Sequence, residues 1–223
     1  ELGEALGEEV AVALLGSDPG SSSSEAIARG ADKVYLVQDS LLTGSEIDAH
    51  LAALQQVCGL AEPTVVLVGR TAMGRDLGPR LAFRLGVTVA QDCVEVSVDA
   101  ATRRVQVVRP VYGGNAVATF TFLDAVPQVV VVRAKVYEPP EPDASRRGEV
   151  INTDIQIDPS VIKAKLVETV RQESEGVRLE DAPVVIGGGR GLGGPVPFEL
   201  LTELAQLLGG AMGASRAACD AGW

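Results

Sequence analysis

Residues 33–68 read KVYLVQDSLLTGSEIDAHLAALQQVCGLAEPTVVLV, and this stretch decides the fold. Lys33 to Val37 is a short run rich in β-branched residues, the pattern of a buried strand. From Ser45 to Cys58 the apolar residues Ile47, Leu51, Leu54 and Val57 recur at helical spacing. Thr64 to Val68 is a second apolar run, ended by Gly69. Strand, helix and strand in that order predict parallel strands joined by a right-handed crossover.

Upstream, Val10 to Leu15 is another apolar strand pattern, and Glu1 to Gly7 reads as the last turns of a helix. The chain is therefore expected to enter its fold after a first strand that lies outside this sequence. Ser21 to Ser24 offer an N-cap or a flexible loop before a helix that Gly30 stops. Downstream, Leu77, Leu81 and Leu85 place a helix over Arg75 to Gly86, and Gly78-Pro79 predict that its first turn is separate. Arg75, Arg80 and Arg84 stud this segment, as a solvated face with ion pairs or as a stripe facing an anion or a partner. Val94–Val98 and Val105–Val108 predict strands around a hairpin-like connection, and Ala116–Phe122 alternates with period two. Val129 to Val132 fits a strand buried on both faces. Pro139 to Asp143 reads as a surface loop or linker. Glu149–Ile157 and Ala164–Val170 are expected edge strands, the second also compatible with a helix.

The fold class this predicts is α/β. A mostly parallel, three-layer sheet domain of nucleotide-hydrolase type spans residues 1–172. The start of a doubly wound, Rossmann-like domain follows over residues 173–223.

Composition narrows the function. The 223 residues are 46% hydrophobic and 22% charged, enough to bury a sizeable core. A formal net charge of −11 repels phosphate backbones and argues against nucleic-acid binding. No run approaches the roughly 20 apolar residues of a membrane helix, and the N-terminus lacks a signal-peptide pattern. Cys58, Cys93 and Cys219 are odd in number and widely spaced, so they predict buried or half-buried thiols in a reducing cytoplasm. His50 is the only histidine and is read as an ordinary helix residue, which removes a Ser-His-Asp triad and a histidine-ligated metal from consideration.

The chemical signal lies near the C-terminus. Ala182-Pro-Val-Val-Ile186 predicts a strand that runs into Gly187 to Gly194, GGGRGLGG. A helix follows, with Phe198, Leu201, Leu204, Ala205 and Leu208 on one face, then a strand from Ala211. Glycines between a strand and a helix let backbone N–H groups approach a pyrophosphate. Arg190, set among those glycines, is a candidate for bidentate pairing with a phosphate. Ser215 and Arg216 leave the next strand on the same predicted crevice edge. A plain loop with no ligand and a solvent-exposed arginine are the alternatives at this point.

VVIGGGRGLGG and LGGAMGASRAACDAGW are similar to the flavin-domain opening of electron-transfer flavoprotein alpha subunits. GRDLGPRLAFRLGVTVAQDCVEV and RPVYGGNAVATF resemble the first domain of that family. The resemblance covers nearly the whole chain. It implies a soluble electron carrier without substrate turnover of its own. It implies a heterodimer whose alpha subunit docks on beta through the N-terminal domain and makes most FAD contacts through the C-terminal one. Electrons would come from dehydrogenases, such as acyl-CoA dehydrogenases, or ferredoxin-like donors. They would pass to a membrane quinone oxidoreductase or another acceptor. By motif match Arg190, Ser215 and Arg216 are expected to contact FAD, with Arg216 near the flavin ring. Asn115, in YGGNA, matches a typical family residue and is expected to build a turn. Cys219 stands where the family usually has valine. The sequence stops where the family continues, so residues 173–223 are expected to be an incomplete FAD-binding domain that holds FAD poorly or not at all. Two other readings stay open. An NADP-dependent oxidoreductase would use Gly189, Gly191 and Gly194 as G-x-G-x-x-G with Ser215-Arg216, but no candidate acid or base is near. A non-catalytic nucleotide-binding or interaction module is the other.

Overall fold

The computed structural model describes residues 1–44, 46–99, 101–123, 126–168 and 178–223. The chain divides into two compact units, Glu1–Val167 and Glu168–Trp223. The boundary expected between residues 172 and 173 lies outside the described residues.

In the first unit, β1 (Ala11–Gly16), β2 (Lys33–Gln38) and β9 (Glu149–Asn152) form a parallel sheet in the order β1-β2-β9. The period-two pattern assigns its faces. Val12, Leu14, Val34 and Leu36 pack with Ala26 and Ile27 of helix α2 (Ser23–Ala28). Ala13, Leu15, Tyr35 and Val37 pack with Ala49, Ala53 and Val57 of helix α3 (Ile47–Ala61). Helices on both faces of a parallel sheet are the three-layer arrangement predicted. The short helix α1 (Leu2–Leu6) precedes β1 and ends at Gly7 in the left-handed region.

A second parallel sheet runs β3 (Val65–Gly69), β8 (Gln128–Val132), β4 (Val89–Cys93). Val129, Val130 and Val131 of its central strand are fully buried, as a run of valines in a two-sided strand requires. One face packs on helix α4 (Gly74–Leu85), where Leu77 and Leu81 meet Val66 and, from α3, Leu51. The other face is covered by a sheet rather than helices. There β5 (Glu95–Asp99), β6 (Arg104–Val111) and β7 (Ala116–Thr121) form an antiparallel sheet, and Val105, Val107 and Phe122 pack on Val130 and Cys93. Gln128 ties the two sheets together. Its amide oxygen accepts the Val105 N–H at 2.8 Å and its amide nitrogen donates to the Arg103 carbonyl at 3.0 Å.

Helix α4 is continuous through Gly78 and Pro79, so no separate first turn forms. Pro79 lies inside the helix, where its missing N–H removes one backbone bond, to the Arg75 carbonyl. Gly78 has a packing reason: a side chain there would collide with Val131. Of the arginine stripe, Arg80 pairs with Asp48 at 3.3 Å and Arg84 donates to Gln55 at 3.2 Å, both on α3. Arg75 pairs with its neighbour Asp76 at 3.6 Å. This is a solvated ion-pair face. The Pro139–Asp143 segment is a surface loop within the first unit, held where Arg29 donates to the Pro140 carbonyl at 2.9 Å. Asn115 closes a turn by donating to the Tyr112 carbonyl at 2.8 Å.

The edge strand expected over Ala164–Val170 does not form in its described part, residues 164–168, which carry no regular structure. Leu166 and Val167 stay exposed there and do not pack on the sheet. Cys93 is buried and Cys58 half-buried, as expected, but Cys219 is exposed. Among the described residues no group of His, Cys, Asp and Glu is placed to hold a metal ion, and no helix is long and apolar enough to cross a membrane.

Candidate functional site

The second unit is built on two short parallel strands, β10 (Val185–Gly188) and β11 (Ala211–Ala214), in register from Val185↔Ala211 to Gly188↔Ala214. Helix α5 (Pro197–Leu207) packs against both, burying Phe198 and Ala205. Trp223 meets Phe198 edge-on, with ring centroids 6.3 Å apart.

Both strands end on the same edge, and their exits lie side by side. The Ser215 N–H donates to the Gly188 carbonyl at 2.8 Å, continuing the ladder one step past β11. Beyond it Gly189 is extended, and a side chain at Gly189 would touch Ser215 Oγ at 3.5 Å. Arg190 opens a single 3-10 turn, Arg190–Leu192, closed by the Gly193 N–H donating to the Arg190 carbonyl at 3.1 Å. Gly193 takes φ +79°, a conformation that favours glycine. On the neighbouring exit, Ser215 precedes the short helix α6 (Arg216–Cys219) and its carbonyl accepts the Ala218 N–H at 2.8 Å. The structure thus places Arg190, Ser215 and Arg216 on one strand-end edge, all three exposed.

Arg216 reaches back to Asp220, Nε to carboxylate 3.4 Å, on a side chain that is 93% exposed. That residue was not legible as part of the site, although an acid four residues after an arginine is an ordinary helical pairing. Among the described residues no carboxylate is ion-paired with Arg190.

The residues fit an anionic dinucleotide. Side chains added at Gly187, Gly191 or Gly194 would meet nothing within 4 Å, so the glycine turn stands open to a ligand. Two exposed guanidiniums and the exposed Ser215 hydroxyl are donors of the kind that suit a negatively charged group. The geometry differs from the nicotinamide-dinucleotide fingerprint. There the last glycine opens the helix and the pyrophosphate rests on the helix N-terminus. Here Pro195 intervenes and α5 starts only at Pro197. With the single histidine, His50, on α3 of the other unit, the described residues of the second unit hold no imidazole for hydride chemistry.

Comparison with known proteins identifies the family. Residues 1–157 match the family model described as the electron transfer flavoprotein domain. Residues 178–223 match the model described as the electron transfer flavoprotein FAD-binding domain. The electron transfer flavoprotein subunit alpha of Megasphaera elsdenii is 40% identical over 100% of this chain and 66% of its own length. That of Thermoanaerobacterium thermosaccharolyticum is 38% identical over 100% of this chain and 67% of its own length. Protein FixB of Azotobacter vinelandii is 33% identical over 99% of this chain and 62% of its own length. The chain therefore spans about two thirds of the length of these relatives. With two consecutive family models matched in order and identity sustained from end to end, the chain belongs to the electron transfer flavoprotein alpha-subunit family.

Proposed function

We propose that the chain serves as the FAD-binding alpha subunit of a heterodimeric electron carrier. It takes electrons from dehydrogenases and hands them to a quinone oxidoreductase or another acceptor, without turning over a substrate itself. The observation that carries this reading is the side-by-side exit of β10 and β11, which sets Arg190 and the Ser215-Arg216 pair on one edge. In this reading Arg190 pairs with the pyrophosphate. Ser215 and Arg216 lie toward the flavin ring, where Arg216 supplies a fixed positive charge. FAD, when bound, supplies the capacity to accept and release electrons. The protein supplies position, charge and exclusion of competing partners. The first unit docks on a beta subunit. The acidic chain works in the cytoplasm, apart from nucleic acid and without inserting into a membrane.

The 223 residues alone hold FAD poorly. The described part of the second unit offers two strands and one helix longer than a turn, and Leu200, Leu204 and Leu207 of α5 remain exposed. A doubly wound sheet needs covered faces on both sides to hold a rigid crevice. Purified as this polypeptide, the chain is expected to carry less than about one flavin per ten molecules, given so little buried scaffold. Co-expression of the full-length alpha chain with its beta subunit is expected to restore near-equimolar flavin, read by the absorbance ratio of flavin to protein. A full-length heterodimer that purifies colourless and takes up no added FAD contradicts the function proposed.

A further inference from the structure

In the first unit, the inner face of the antiparallel sheet outruns its cover. Side chains alternate along β6, so Val105, Val107 and Arg109 share one face, and register pairs Val107 with Phe120 and Arg109 with Ala118 on β7. Val105, Val107 and Phe122 are buried against the parallel sheet. Further along the same face the cover stops, and Phe120 is 46% exposed. There the sheet and the segment Gly86–Ala90 enclose a cavity of about 650 Å³ in which, among the described residues, Arg109 is the one charged lining residue beside Val87, Phe120, Phe122 and Leu123.

Arg109 is short of a partner. Its Nε–H is buried and donates no hydrogen bond, and its guanidinium stands 6.0 Å from the Phe120 ring centroid. Among the described residues no carboxylate is ion-paired with it. The anion it influences is Asp92, whose carboxyl is held below its usual range first by its hydrogen bonds with Arg133 and also by the charges of Arg70 and Arg109. Asp92 is already engaged by both Arg133 nitrogens at 2.9 and 2.8 Å and by Arg70 at 3.4 Å. Two guanidiniums thus hold Asp92, which leaves Arg109 without a contacting carboxylate among the described residues of a chain whose net charge is −11. A buried donor left unpaired is costly, and a cavity that is positive at its base and aromatic on its wall is complementary to a carboxylate on an apolar stem.

We infer that this cavity seats a loop of the beta subunit, which inserts an aspartate or glutamate side chain toward Arg109 with its stem against Phe120. The inference rests on the reading of the chain as one subunit of a heterodimer. A protein loop fits better than a small molecule because apolar exposure continues past the cavity rim. Leu123 of the lining is 67% exposed, and Tyr112, directly after the end of β6, is 83% exposed. Aromatic residues and arginine are the side chains that protein interfaces favour. β7 is also an edge strand, with backbone groups available to a second chain.

Two substitutions test it in the full-length heterodimer. Arg109→Glu reverses the charge. Ala118→Glu places a carboxylate directly across the ladder from Arg109, where the two pair within the subunit and the arginine is no longer available. Dissociation of the two subunits is measured by sedimentation at low and high salt, with circular dichroism confirming the fold. Each variant is expected to weaken association at least about 30-fold at low salt, and to flatten its salt dependence, as loss of a charge pair does. Association within threefold of wild type in a folded variant overturns the assignment of this cavity while leaving the heterodimer intact. If Arg109→Glu fails to fold, Ala118→Glu alone decides. A wild-type alpha chain that never associates with beta overturns the subunit reading, and this inference with it.

Discussion

Arg216→Ala lowers the reduction potential of the flavin-loaded heterodimer by about 60 mV, the equivalent of 1.4 kcal/mol in a one-electron step. A flavin ring gains negative charge on reduction, and a fixed cation at the end of β11 favours the form that carries that charge. Opposite unit charges several ångströms apart in a partly shielded site interact by a few kcal/mol. Asp220, 3.4 Å from Arg216, offsets part of the positive charge, which is why the lower end of that range is expected. Arg216→Lys keeps the charge and is expected to recover most of the potential. A spectroelectrochemical titration of the three proteins reads this directly. An alanine variant that titrates with wild type places Arg216 away from the ring.

Gln128→Leu destabilises the first unit by about 3 kcal/mol, without any contact to a ligand. Leucine preserves the volume of the side chain and fits its buried position. What it removes is the pair of bonds to the Val105 N–H and the Arg103 carbonyl. Both backbone groups lie where β6 leaves the turn and enters the core, and Val105 is fully buried, so water does not replace the partner of its N–H, while the Arg103 carbonyl is part-buried. A buried donor or acceptor left unsatisfied costs about 1–3 kcal/mol. Gln128→Glu keeps the acceptor and loses the donor, and is expected to cost less at a pH where the carboxyl is protonated. Urea unfolding followed by far-UV circular dichroism measures the loss as a lower midpoint at unchanged slope.

Much of the fold was legible because its strands are short runs of β-branched residues between glycines and polar turns. The four valines from Val129 gave the central strand, and the alternation from Ala116 gave β7. Gln128 gave no signal, since one amide before a valine run has no periodicity to read. The continuity of α4 was hidden because Gly78 and Pro79 look like breakers in sequence. Only the contact with Val131 reveals that Gly78 is there for close packing. The strand expected over Ala164–Val170 is absent from its described part, residues 164–168, because a segment's own propensity does not say whether a neighbouring strand is available to pair with it. At the site, the glycine turn and both arginines were readable from residue type and order. The late start of α5 was not, although Pro195 and Pro197 after the glycines were its signal. Arg109 was missed too, and parity would have found it. Val105, Val107 and Arg109 alternate along one strand, so the arginine continues an inward-facing row.

The glycine turn at Arg190 and the exit at Ser215-Arg216 are expected to close on one FAD. Amide hydrogen exchange of the full-length heterodimer, compared with and without bound flavin, tests it without any substitution. The turn amides of Arg190–Gly193 and those of Ser215–Arg216 are expected to gain protection together as FAD is added, and to lose it together when FAD is stripped. Protection that rises on one exit and leaves the other unchanged contradicts a shared ligand.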